Sequence, residues 1–382
     1  MNITKKGVKA MFTKIVVLIM SLVITLTTAL GLNFVAPEEE AADVKNVIIL
    51  IGDGMGFNHL NATEKVHGVD LSILNRFQYY GEQMTRSASS PVTDSAAGGT
   101  ALATGSRTMN GYVGVYPTDP LGVIAVPASV TEVAMKYGKS TGIVTSDSIM
   151  GATPSSFSAH VRDRDLAEEI FAQQVVSEID LIWGATAGEV TEEAVNENGK
   201  VYVNTLSEVK ALELGQKSIG QFDSETMWQG KDNGDQPTLS ELAVEAIDIL
   251  NQDEDGFFMM LEAAHIDKRS HSQDGEGAMT AVLEFDKVVD VVLDFAEKDG
   301  NTLVIITADH ETGSVTLIGD EYKWLTGSHS GANVPCFVYG ADSFIEDGEV
   351  INNIDIPDFA VAFMTNNEQA FPCPLVYLNE EE

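Results

Sequence analysis

The chain has 382 residues, 44% of them hydrophobic, the composition of a globular protein with a sizeable core. Its 22 basic residues stand against 58 acidic ones, a net charge of −36 that repels nucleic acid and anionic membranes and argues against both as partners. The same field repels anionic ligands, so a site for one needs positive charge concentrated locally.

Lys5, Lys6, Lys9 and Lys14 precede an uncharged apolar run from Ile15 to Ala36. A basic start followed by such a run reads as a secretory signal, which places the mature protein outside the cytoplasm, secreted or periplasmic. The run is longer than most signal cores, so an uncleaved membrane anchor is the alternative. Residues 1–42 are taken as leader and linker, with Glu38–Glu40 marking the exposed linker and the folded part beginning near Val44. No repeat and no Pro-, Gly- or Ser-rich linker divides the remainder, so residues 43–382 are expected to form one domain. Cys336 and Cys373 suit an exported protein, and a disulfide between them stays open. Cys336 equally suits a buried thiol within an apolar strand.

Val47–Ile51 is the first of six short apolar runs of the kind buried in a largely parallel sheet. It ends in Gly52-Asp53-Gly54-Met55-Gly56, where small residues let backbone and a cation approach Asp53 closely. Gly-Asp-Gly alone is also an ordinary turn. Thr93-Asp94-Ser95-Ala96-Ala97-Gly98-Gly99 then places Ser95 at a helix start, where free N–H groups and the dipole favour an anion. The plainer reading is that Asp94 or Ser95 is simply an N-cap.

Thr141–Thr145 is the second strand, followed by a helical pattern over Asp165–Val176 and a third strand at Ile179–Trp183. A second helix is expected over Thr238–Leu250, and Phe257–Leu261 is a strand that runs into Glu262. Asp267 and His271 lie four apart, on one face of a helical turn, a spacing that can hold zinc and is also common on surfaces. The clearest helix spans Gly277–Lys298. Ala278, Val282, Phe285, Val289, Val292 and Phe295 form its apolar stripe, and Glu284, Lys287, Asp294 and Lys298 its solvent face. Leu303–Thr307 delivers Asp309 and His310, His329 sits among small residues, and Val334–Tyr339 closes the series. Alternating strands and helices give an α/β sandwich, a large, mostly parallel central sheet between helices. Three strands each carry an acid to the carboxyl edge, where open α/β sheets place their ligands. His59, His67, His160 and His265 have no comparable setting and read as structural or surface residues.

Gly52-Asp53-Gly54-Met55-Gly56, Thr93-Asp94-Ser95-Ala96-Ala97, Ala152-Thr153-Pro154, Glu262, Ile266-Asp267, His271, Thr307-Ala308-Asp309-His310 and His329-Ser330-Gly331 follow one another in an order that resembles the alkaline phosphatase family. The resemblance covers Lys45 to about Gly340 and is thin between Ile179 and Pro237. It implies an alkaline phosphatase-like fold and hydrolysis of phosphate monoesters to alcohol and inorganic phosphate, with two zinc ions and one magnesium. By that resemblance Asp267, His271 and His329 hold one zinc, and Asp53, Asp309 and His310 the other. Asp53, Thr153 and Glu262 hold magnesium. Ser95 is the implied nucleophile, passing through a phosphoserine. Arg164 grips two phosphate oxygens, a task that suits a guanidinium fork, with Arg162 as its rival. The physiological ester and the choice between monomer and homodimer stay open.

Two departures from the family pattern matter. The His or Asp commonly found two residues before the threonine ligand is replaced by Gly151, so Lys268 is expected to lack an acidic neighbour and the magnesium site to be weak. The 311–328 stretch between His310 and His329 is too short for the large lobe some relatives insert there. A sulfatase needs a Cys/Ser-x-Pro-x-Arg setting that Ser95-Ala96-Ala97-Gly98-Gly99 lacks. Diesterases share metal ligands but seldom this Asp-Ser-Ala-Ala segment. A non-catalytic phosphate- or metal-binding protein would not need Ser95 and Arg164 together.

Salt screens repulsion among crowded carboxylates, so the −36 charge predicts a salt-dependent protein. The thermal midpoint, or kcat/KM on an anionic ester, should rise between low salt and about 0.5 M. Flat curves for both quantities would refute this.

Overall fold

A computed structural model describes residues 46–77, 79–117, 124–213, 215–340 and 344–375; the leader and linker expected over 1–42 lie outside them. Ten strands form one sheet: β1 (Asn46–Ile51), β2 (Tyr79–Met84), β3 (Ser140–Ser148), β4 (Leu181–Ala185), β5 (Val201–Val203), β6 (Ser218–Phe222), β7 (Phe257–Glu262), β8 (Thr302–Thr307), β9 (Val334–Tyr339) and β10 (Val350–Asn352). Their spatial order is β10-β2-β9-β8-β1-β7-β3-β4-β6-β5. Every pairing is parallel except those of β9, which runs against both β8 and β2. An unbroken apolar run such as Val334–Tyr339 reports burial on both faces and carries no direction, so the pattern alone did not set β9 apart. β2 escaped the sequence reading because its exposed Tyr80 and polar Glu82 and Gln83 break any apolar run.

Helices on both faces bury these strands. They include α1 (Ser95–Thr104), α2 (Val130–Lys136), α3 (Ala152–Ser156), α4 (Ala167–Val176), α5 (Leu239–Leu250), α6 (His265–His271), α7 (Gly275–Asp299) and α8 (Asp355–Met364). Alternate side chains of β1 serve opposite faces, as the pleat requires. Val47, Ile49 and Ile51 join the core under α1, α2, α4 and α8. Ile48 and Leu50 join the core under α5 and α7. Each such fully buried aliphatic side chain contributes about 1.5–3 kcal/mol.

The helix ends follow their caps. Thr238 lies outside α5 as its N-cap, accepting from the Glu241 amide while Glu241 accepts from the Thr238 amide, a reciprocal capping box. On α7 the expected apolar stripe is buried, with Phe295 partly so. Glu284, expected on the solvent face, is buried as well. Its Oε1 accepts from the Ser240 amide at 3.0 Å and hydroxyl at 2.8 Å, and its Oε2 from Lys287 Nζ at 3.0 Å. Those donors replace the water that the charge would otherwise need. Cys336 and Cys373 are both buried free thiols, which answers the disulfide question, and burial pushes the Cys336 thiol up to about 12. Among the described residues, no helix is long and apolar enough to cross a membrane.

The amino edge of the central strands is pinned by Asn46, which is fully buried. Its Oδ1 accepts from the Phe257 amide at 3.0 Å, and its Nδ2 donates to Thr302 Oγ1 at 3.3 Å, tying β1 to β7 and β8 at once. Asn46→Ala leaves the buried Phe257 N–H without a partner, which should cost about 1–3 kcal/mol. Chemical denaturation of the two proteins checks this, and an unchanged midpoint refutes it.

Candidate functional site

The carboxyl edge of β1, β7 and β8 carries the predicted acids. Ile51 pairs with both Glu262 and Thr307, so Asp53 and Asp309 each follow two residues beyond one level of the sheet, and Glu262 lies at that level. Gly54 follows Asp53 with φ +75°, and a Cβ there would lie 2.8 Å from Asp267 Cα. The turn therefore needs glycine both for its left-handed backbone and for the close approach of α6. Gly54 N donates to Asp309 Oδ1 at 3.2 Å, which fixes the two strand ends to each other.

Ser95 is the first residue of α1, and Asp94 is its N-cap, accepting from Ala97 N at 3.0 Å. The capping reading thus holds for Asp94 and leaves the Ser95 hydroxyl free for the site. Its Oγ lies 3.1 Å from His310 Nε2. Small residues let α1 sink into place. A Cβ on Gly98 would lie 2.9 Å from the Asp309 carbonyl oxygen, and one on Gly99 would lie 3.3 Å from Thr153 Cα.

Three imidazoles converge here, and their outer hydrogen bonds fix their tautomers. His271 Nδ1 lies 2.8 Å from the Gly327 carbonyl and His329 Nδ1 2.9 Å from the Thr93 carbonyl. A carbonyl can only accept, so both Nδ1 atoms carry hydrogen. The Thr312 hydroxyl donates to Asp267 Oδ1 at 2.5 Å, so His310 Nδ1, 3.2 Å from that hydroxyl, must donate to it. In the neutral rings every Nε2 is then a bare lone pair facing the site. His271 and His329 point theirs at each other across 3.1 Å, with Asp267 Oδ2 3.3 Å from the first and Oδ1 3.6 Å from the second. His310 Nε2 lies 3.2 Å from Asp309 Oδ2 and 3.6 Å from Asp53 Oδ1.

Such a gathering of acceptors repels itself unless a proton or a cation sits between them. Asp53 Oδ1, Asp309 Oδ2 and Thr153 Oγ1 are buried without a hydrogen-bond partner. Burial raises the Asp53 carboxyl well above its usual range, and the charges of Asp309, Asp267 and Glu262 push it further. Burial likewise raises Glu262 to about 7, with the Asp147 charge adding to it. Burial lowers His310. Burial opposes ionisation of Asp267, yet its carboxyl moves below its usual range because His271 and Thr312 donate to it; the same contact raises His271 to about 9, so with no cation in place its Nε2 holds a proton against Asp267. The donor set of imidazole nitrogens and carboxylates is the one zinc prefers, and the Asp53, Thr153 and Glu262 oxygens suit magnesium. Two ligand groups already lie close enough to share an ion: Asp267, His271 and His329, and Asp53, Asp267 and His310. Asp267 stands in both, whereas the sequence reading placed it in the first alone.

Arg164 reaches this edge and Arg162 remains on the surface. Arg164 Nη1 lies 3.2 Å from Asp94 Oδ2, its amide donates to the Gly111 carbonyl, and the Gly111 amide donates to that same Asp94 oxygen. One carboxylate therefore caps the serine helix and orients the arginine. Asp94, Thr312 and the Thr93 and Gly327 carbonyls were not singled out as orienting groups by sequence reasoning. Only Thr312, two residues past His310, carried a signal that spacing could have offered. Of the histidines read as structural or surface residues, His59 and His265 are buried in the fold. His59 Nε2 meets Ser270 Oγ at 3.0 Å, and His265 stacks on Trp228.

The family model for alkaline phosphatase matches residues 44–181 and 184–338. The chain belongs to the alkaline phosphatase family. It is 34% identical over 312 residues to alkaline phosphatase 4 of Bacillus subtilis, covering 76% of this chain and 66% of that protein. Against alkaline phosphatase 3 of the same organism the identity is 33%, covering 74% and 65%. The chain thus spans just under two thirds of the length of these relatives. The alkaline phosphatase structure from the Antarctic bacterium TAB5 superposes with a TM-score of 0.70 at 29% identity, over 85% of this chain and all of that one. The shared fold accounts for the sheet order.

His160 braces the arginine loop. Its Nδ1 lies 2.6 Å from the Gly114 carbonyl and its Nε2 3.0 Å from Glu132 Oε1. Burial works against both charges, yet the contact lowers the Glu132 carboxyl and raises His160 above 6.5. The raised histidine stabilises fully below 6.5 and loses that contribution as pH climbs through its folded value, while the lowered glutamate contributes above 4.5 and fades below it. The gap in thermal midpoint between wild type and His160→Gln should therefore be widest between pH 4.5 and 6.5 and shrink above. A gap that does not vary with pH would refute the charged pair.

Proposed function

We propose that the chain is a metal-dependent phosphomonoesterase, converting phosphate monoesters to alcohol and inorganic phosphate through a phosphoserine at Ser95. The observation that carries this reading is the trio of Nε2 atoms turned inward, each with its Nδ1–H anchored, converging with Asp53, Asp267 and Asp309 beside the Ser95 hydroxyl. Asp267, His271 and His329 would hold one zinc; Asp53, Asp309 and His310 a second; Asp53, Thr153 and Glu262 a magnesium. When bound, the ions supply the positive charge that a −36 surface withholds from an anionic substrate, and they lower the pKa of coordinated oxygens.

The chain's own residues account for the rest. Arg164, steadied by Asp94, offers two parallel N–H donors to the phosphoryl oxygens. The amino end of α1 directs its free N–H groups toward the same group. In the metal-free site the Ser95 hydroxyl can donate its proton to His310 Nε2, which marks the direction its oxygen faces. Attack of that oxygen forms the Ser95 O–P bond as the ester P–O bond breaks and the alcohol leaves with a proton. Water then cleaves the phosphoserine, restoring the hydroxyl and releasing phosphate. Broad monoester scavenging is the default substrate reading. Export through the 1–42 leader, or anchoring by it, belongs to the same reading.

Acid trapping with inorganic phosphate followed by peptide mass analysis should find phosphoserine at Ser95. Ser95→Ala should still bind zinc and lose at least a thousandfold in aryl monoester turnover, the scale of removing a nucleophile. Chelation should abolish wild-type turnover, and zinc with magnesium should restore it. Label on another residue, or equal turnover of mono- and diesters, would overturn the reading.

A further inference from the structure

Gly151 leaves a gap that a neighbouring strand fills. β3 continues past the predicted Thr145 to Ser148 and so carries Asp147 to the carboxyl edge. Asp147 Oδ1 is paired with Lys268 Nζ. Its other oxygen, Oδ2, lies 2.9 Å from where a Cβ on Gly151 would stand. Lys268, expected to lack an acidic companion, therefore has one. We propose that Asp147 takes the place of the side chain missing at Gly151, neutralising Lys268 and adding a carboxylate to the surroundings of the magnesium that Asp53, Thr153 and Glu262 would hold. This rests on the functional reading above.

Three observations support the assignment. The Thr145 hydroxyl donates to Glu262 Oε2 and accepts the Asp147 amide at 2.9 Å, so one side chain positions both carboxylates. Burial is the main cause that raises Glu262, and the charge of Asp147 is the next, which places the two acids within strong electrostatic reach. Thr153 Oγ1 and Asp53 Oδ1, both named as ligands of that magnesium, are buried without a hydrogen-bond partner. Without Asp147, the Lys268 ammonium would face the pocket uncompensated and oppose a dication. The backbone at Gly151 (φ −56°, ψ 155°) is open to any residue, so only crowding and charge decide what can stand there.

The test is magnesium binding to the zinc-loaded protein, followed by titration calorimetry and by the rise in thermal midpoint with magnesium chloride. Asp147→Ala should weaken magnesium at least tenfold, the usual effect of removing an outer carboxylate. Gly151→Asp alone should not tighten binding, because its Cβ and charge would crowd Asp147. Gly151→Asp combined with Asp147→Ala should recover most of the lost affinity. If Asp147→Ala does not fold, Asp147→Asn reads the same quantity. Magnesium affinity unchanged in the Asp147 variants, or tightened by Gly151→Asp alone, overturns the proposal. A protein that lacks esterase activity yet loses magnesium with Asp147 would overturn the functional reading and leave this one standing.

Discussion

Lone pairs crowd one another at the carboxyl edge of the sheet, and the chain spends much of its structure holding them there. Three imidazoles are turned so that their Nδ1 hydrogens face backbone carbonyls or a threonine, and their Nε2 atoms face inward. Four acids, Asp53, Glu262, Asp267 and Asp309, are buried among them. In a low-dielectric interior such an arrangement is unstable by itself, and the raised Asp53 and Glu262 carboxyls are its symptom. The glycines around Asp53, the small residues of α1 and the Asp94 cap are the local means by which the backbone comes close enough to sustain it.

The strand framework was legible because full burial leaves a simple mark. Val47–Ile51, Phe257–Leu261 and Leu303–Thr307 are unbroken apolar runs that end in acids, and the structure extends each by no more than one residue at either end. The candidate ligands were legible through the family resemblance and through their place at strand ends. What stayed hidden depends on tertiary neighbours. Nothing near Glu284 in sequence reveals Ser240, whose two donors allow that charge to be buried. Asp147 lay past the expected end of its strand, and its partner Lys268 is 121 residues away. β2 hid behind its exposed Tyr80, and β9 behind a pattern that records burial without direction.

The acidity of the chain and the demands of its site are reconciled by placement. Outside the site, several acids are tied up by cations. Arg76 alone engages Asp290, Asp294 and Glu297, and Arg269 lies near Glu225 and Asp274 while covering Trp228. These exposed contacts are individually worth little, but they keep negative charge occupied on the helices behind the sheet. Arg164 and Lys268 bring positive charge to the carboxyl edge, and each has an aspartate to orient it.

Asn46 sits at the far edge of the sheet, roughly 20 Å from the ligands by the rise of six strand residues. It works as a vernier for them. Because side chains alternate, a slip of one residue between β1 and either neighbour would turn an acid from the site toward a helix layer. A single amide spanning three strand starts therefore sets, from the opposite end of the molecule, which oxygens stand level with one another where the cations would bind. The way a cation would be held here thus depends partly on alignment established at a distance, by residues that never approach it.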